Sequence, residues 1–252
     1  IIISISLIII LLAVSIIGII SRGIQTTTGI STDLENAKDA SVVQSNSTLT
    51  VTSAEWAKAI GGDKNDEITS VISTSDGGYL VGGNFYSSSI DLGNGVTINN
   101  ATGISKGMII KYNSAGVVQW AKTMDTSSSS SVTSVIQTTD GGYLVGGTST
   151  KSINLGNGVN ISINTESNNA KGIIIKYNST GVAQWGKAIG GDTASLLSRV
   201  GKVIQTIDGG YLVGGYFAYK DVYLENGVSI ISPNIGRGKG LIIKYNSSGI
   251  PQ

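Results

Sequence analysis

Asp76-Gly77-Gly78-Tyr79-Leu80-Val81-Gly82-Gly83 decides the fold, because the chain writes this stretch three times. It returns as Asp140 to Gly147 and as Asp208 to Gly215. Each copy is followed by an Ile-Ile-Lys-Tyr-Asn-Ser run whose lysine is Lys111, Lys176 or Lys244. Trp120 and Trp185 come next in the first two copies, and Trp56 stands ahead of the first. A unit repeated at near-constant spacing cannot bury its apolar surface alone, so it must stack on its neighbours.

Five pieces recur in each copy. Ile68 to Thr74 is matched by Val132 to Thr138 and Val200 to Thr206, and its β-branched residues predict a strand. Asp76-Gly77 then marks a tight turn, since glycine accepts positive φ. Strands follow over Tyr79 to Tyr86, Met108 to Tyr112 and Val117 to Met124, the last two joined by the turn Asn113-Ser114-Ala115-Gly116. The loop between the second and third strands carries Leu92-Gly93-Asn94-Gly95-Val96, repeated at Leu155 to Val159 and Leu224 to Val228. Asn-Gly between apolar residues predicts a small extra hairpin there. Its alternative is a calcium loop, but Asp91 becomes Asn154 and then Tyr223, so the oxygen donors dwindle. No metal site and no cofactor are expected.

The unit therefore reads as a four-stranded antiparallel meander. Its second and third strands are apolar on both faces, as a sheet held between two other sheets requires. The expected fold class is all-β: a β-propeller-like array of four-stranded antiparallel blades, with three repeats forming an open partial propeller, preceded by an N-terminal hydrophobic helix. The blades span about 68–124, 132–189 and 200–252, with boundaries good to a few residues. The third lacks its outer strand, and a lone tryptophan strand, Glu55 to Ile60, precedes the first. These ends mark a segment of a larger ring with exposed edges. A threefold β-trefoil or β-prism is the rival architecture.

The order of motifs resembles the secreted bacterial propeller repeats known as SBBP (seven-bladed β-propeller) repeats. The resemblance runs over residues 54–252, from Trp56-Ala57-Lys58-Ala59-Ile60-Gly61-Gly62 through the Asp-Gly-Gly-Tyr-Leu-Val-Gly-Gly block to Ile-Ile-Lys-Tyr-Asn-Ser. The copies depart from one another after the tryptophan strand: Asp63 and Asp192 follow glycine pairs, whereas Asp125 precedes a serine run. The resemblance implies an extracellular, many-bladed protein and carries over no catalytic residue.

Residues 1–20, IIISISLIIILLAVSIIGII, are long enough as a helix to span about 30 Å of hydrocarbon and predict a signal or transmembrane anchor. Residues 21–53 read as a polar linker, in which Leu49 to Thr52 is a candidate short strand, and 54–252 as the propeller repeat region. The chain of 252 residues has a formal charge of +1 and no basic stripe, so nucleic acid is not an expected partner. It contains neither cysteine nor histidine, which removes disulfides, thiolate zinc sites and the commonest general base.

Function is expected on the end of the sheets that carries the variable loops, because binding is built on loops held by a rigid scaffold. The candidate ligand-binding residues are Asp63, Asp66, Glu67, Tyr86, Asp192, Tyr216, Phe217 and Tyr219. Lys111, Lys176 and Lys244 read as strand lysines whose stems lie on apolar surface while the heads reach water. The expected role is a non-enzymatic extracellular or cell-surface scaffold that binds a protein or glycan, held at a membrane through residues 1–20. The alternative is a polysaccharide hydrolase, which needs two carboxylates on the loop face.

Overall fold

The computed structural model describes residues 56–163, 169–190, 197–231 and 237–252. The expected anchor, the linker, the strand Leu49 to Thr52 and Asp192 lie outside these residues. Among the described residues no helix is long and apolar enough to cross a membrane.

The first sheet begins with β1 (Asp66–Ser73) and β2 (Tyr79–Phe85). A small hairpin, β3 (Ser89–Asp91) and β4 (Thr97–Asn99), leaves the sheet before β5 (Lys106–Tyr112) and β6 (Val118–Thr123) complete it. The order across the sheet is β1-β2-β5-β6, antiparallel throughout. The second sheet repeats this with β7 (Ser130–Gln137), β8 (Tyr143–Ser149), the hairpin β9 (Ile153–Asn154) and β10 (Asn160–Ile161), then β11 (Lys171–Tyr177) and β12 (Ala183–Ala188). The third has β13 (Leu197–Gln205), β14 (Tyr211–Ala218), the hairpin β15 (Val222–Tyr223) and β16 (Ser229–Ile230), and β17 (Lys239–Tyr245). Its fourth strand is represented by a bridge between Tyr245 and Pro251 and a bond from Gln252 N to Lys244 O of 2.9 Å. The described residues are thus all-β, an array of blade-like antiparallel sheets stacked in chain order, rather than a trefoil or prism.

One expectation is corrected and another is met. Residues 56–60 form no strand, for the ladder that would pair them is not present among the described residues. The expected small hairpin at Asn-Gly is present in each sheet, as β3–β4, β9–β10 and β15–β16. Gly93, Asn94 and Gly95 all take left-handed φ (82°, 53° and 72°), so the turn closes from Leu92 N to Val96 O at 2.9 Å.

The sheets stack through a socket. Val132 and Val135 of β7 sit on Gly82 of β2, where an added Cβ would lie 2.6 and 2.8 Å from their Cγ1 atoms. Val200 and Val203 of β13 sit likewise on Gly146 of β8, at 2.6 and 2.9 Å. Those distances are well inside van der Waals contact, so only glycine fits under the paired valines. Beside each socket the first strand bulges: Thr69 and Thr133 are the extra residues, and their hydroxyls donate to Val132 O and Val200 O at 2.7 Å. Ser70 and Ser134 accept from Val135 N and Val203 N at 3.1 and 3.3 Å. The first strands β1, β7 and β13 therefore pack side by side. At the far side of each sheet Trp120 meets Tyr143 with ring centres 5.8 Å apart, and Trp185 meets Tyr211 at 5.9 Å.

Candidate functional site

The Asp-Gly-Gly turns hold more than a bend. Asp76, Asp140 and Asp208 pair with Lys111, Lys176 and Lys244 at 2.8, 2.9 and 2.8 Å. Lys111 Nζ also donates to Tyr112 O at 2.9 Å and to Gln119 Oε1 at 3.0 Å, so every ammonium proton has an acceptor. Lys111 and Lys176 do not carry their heads out to water, as the strand pattern had implied. The lysine side chains of the first two pairs are 2% and 3% exposed, that of the third 28%. The Lys111 ammonium and the Thr74 hydroxyl hold the Asp76 carboxyl down at about 2. Burial pushes Asp140 up, but Thr138 and Lys176 outweigh it and the group also falls to about 2.

On the loop end, Asp66 and Asp63 are occupied in tying the chain together. Asp66 Oδ1 accepts from Tyr86 N (2.9 Å) and Ser87 N (3.1 Å), and Oδ2 accepts from Gly62 N (2.9 Å) and the Ser87 hydroxyl. Burial raises the Asp66 carboxyl, but these four donors more than reverse it and leave it below the ordinary value. Asp63 accepts from Ser88 N at 2.8 Å, which lowers it in the same sense. Glu67 is exposed on β1 opposite Asn84, and Tyr86 is exposed just past β2. Tyr216 lies on the open side of the third sheet with its ring over Gly238. Phe217 departs from its expected role: it is buried among Val200, Val222 and Leu241 and offers no ring face to a ligand.

Tyr219 is the aromatic residue that does border a groove. Its φ is 78°, a left-handed conformation rare for a bulky side chain. The groove, about 700 Å³, runs along the junction of the second and third sheets. Ser129, Ser131 and Thr133 on one side and Thr148 and Thr150 beside them give a band of hydroxyls; Leu197, Arg199 and Gly201 form the opposite wall. No Asp or Glu is among its lining residues within the described part of the chain. A smaller hollow of about 390 Å³ lies by the β9–β10 hairpin, lined by Asp125, Ser127, Asn154 and Asn160 among others.

The two junctions differ in one hydrogen bond at the place where this groove lies. In the junction of the first and second sheets, Asn84 reaches across and its Oδ1 accepts from Val132 N at 3.0 Å. Thr148 holds the matching place on β8, opposite Ser131 as Asn84 is opposite Glu67. Its shorter side chain turns back to Ser131 instead, hydroxyl to hydroxyl at 2.7 Å. That Asn-to-Thr difference was visible between the copies; its consequence needed the register and the neighbour. Arg199 was not singled out from sequence, because it falls in a strand position with no match in the other copies. No family model matches the chain, and no curated protein sequence does.

Proposed function

We propose that the repeat region is a non-enzymatic extracellular or cell-surface scaffold that binds a glycan in the groove between the second and third sheets. The observation that carries this reading is the make-up of that groove. Each hydroxyl of Ser131, Thr133 and Thr148 keeps acceptor capacity beyond the proton it donates. Arg199 adds fixed donors and Tyr219 an aromatic edge. A sugar, dense in hydroxyl donors and acceptors with apolar C–H faces, matches that combination. The likeness of the motif order to secreted bacterial propeller repeats supports a location outside the cell, with residues 1–20 as export signal or anchor.

The test is a glycan-array screen of the full chain, followed by titration of any hit against Arg199→Ala and Tyr219→Ala. Binding that falls at least about tenfold in both variants is expected, equal to about 1.4 kcal/mol. Binding that neither substitution weakens would remove the groove from the reading. Release of reducing sugar from a polysaccharide by the purified chain would replace it with the hydrolase.

A further inference from the structure

Arg199 is the single charged side chain among the described residues that line the groove between the second and third sheets. It is exposed and makes no ion pair with a described acid. The cations repeated in every copy are engaged elsewhere, since Lys111, Lys176 and Lys244 each hold an aspartate.

Register fixes where this charge stands. Glu67, Ser131 and Arg199 occupy the same position of the first strands β1, β7 and β13, opposite Asn84, Thr148 and Tyr216. Those strands lie side by side, so the position forms a row that runs from acid through hydroxyl to guanidinium. Ser131 and Thr133 remain only half-buried although a sheet packs on each side of theirs. Stacking itself leaves this edge of the sheets open, and the groove has a described sheet on both sides. Glu67 belongs to the other junction, which Asn84 crosses to reach Val132 N.

We infer that the ligand of this groove is an acidic glycan, whose carboxylate or sulfate docks on the Arg199 guanidinium while its sugar hydroxyls meet Ser131, Thr133 and Thr148. This rests on the glycan reading of the groove and adds the charge of the ligand. A guanidinium presents its N–H donors as a planar fork, which fits the paired oxygens of either anion. With no acid on the described walls, an anion entering the groove meets an attractive charge and no opposing one. Glu67, two strands away in the same row, repels that anion from the first junction and so favours the second.

The test titrates the full chain, in detergent micelles, with oligogalacturonate, hyaluronan oligomers and a sulfated galactan oligomer. Each is paired with its uncharged counterpart, the methyl ester or the desulfated form. At least one acidic oligomer should bind at least about tenfold more tightly than its counterpart. Which of them does so tells carboxylate from sulfate. Arg199→Gln should remove that difference by weakening the acidic form alone, and Arg199→Lys should restore part of it. Raising sodium chloride from about 0.05 M to about 0.5 M should weaken the acidic form and spare the uncharged one. Equal binding of charged and uncharged forms overturns the inference and leaves the glycan reading standing, as do neutral array hits with no acidic oligomer bound. An Arg199→Gln chain that weakens both forms alike also overturns it, because a merely structural arginine behaves that way. A glycan array without any hit removes the glycan reading itself, and this inference with it.

Discussion

Lys111 and Lys244 make the same ion pair from the same place on the same strand, and they differ in what lies over them. Above the Lys111–Asp76 pair stands the second sheet, whose Tyr143 feels the Asp76 charge and is pushed up by burial and by that charge. Above Lys244–Asp208 among the described residues there is no further sheet, and the lysine is open enough to touch water. The same contrast holds for Gly82 and for Gly214, where an added Cβ would meet nothing nearer than Lys202 O at 4.0 Å. A repeat residue therefore has no fixed worth; stacking converts a surface pair into a buried one and a free glycine into a required one.

The comparison breaks hardest at the sockets. Gly82→Val places methyl groups inside Val132 and Val135 and should cost about 3 kcal/mol, the upper end for overpacking. Gly214→Val should stay within about 0.5 kcal/mol of the parent. Urea unfolding midpoints of the two variants check the pair, and equal losses would mean that the socket does not set the stacking. Asp76→Asn comes next. It strips the charge from the partner of a buried ammonium, and breaking such pairs costs 3–5 kcal/mol when both groups are buried. The Asp76 side chain is 52% exposed, so about 2 kcal/mol is expected here. Asp208→Asn should cost visibly less in the same assay.

Acid sharpens the same contrast. Asp76 and Asp140 sit near 2 in the folded chain and near 3.9 unfolded, so folding favours their ionised forms. Their contribution is complete above about pH 4 and is lost as pH falls towards 2. The unfolding midpoint should drop across that window, and drop less in a chain carrying Asp76→Asn and Asp140→Asn together. The smallest effect on stability is expected for Thr148→Asn, which grafts the side chain of the first junction onto the second. It should leave the melting temperature within a few degrees, about 0.5 kcal/mol, yet close the groove and remove glycan binding.

Strand order and turns were legible because a strand or turn announces itself locally, through β-branched runs, Asp-Gly and Asn-Gly. The repeat then supplied stacking, since apolar residues on both faces of Tyr79 to Gly83 demanded a neighbour on each side. What escaped was pairing between distant places. Asp76 read as a turn former and Lys111 as a strand lysine, although both recur in all three copies; a joint reading of the two would have paired them. Phe217 stood at the end of an expected strand, where a ring can face a ligand, yet it matches Phe85, which is buried as well. The groove lies where Thr148, one atom shorter than Asn84, turns back within its own sheet, a difference whose setting no local pattern records.

The socket and the tryptophan stand at opposite sides of each sheet. At the inner side two valines close down on a glycine; at the outer side an indole and a phenol ring hold the sheets apart. Each junction is consequently closed at two separate places, by a glycine under paired valines and by a pair of rings. The separation of one sheet from the next therefore rests on the bulk of a few side chains, so a change at the glycine or at the tryptophan alters one edge of a junction and leaves the other in place.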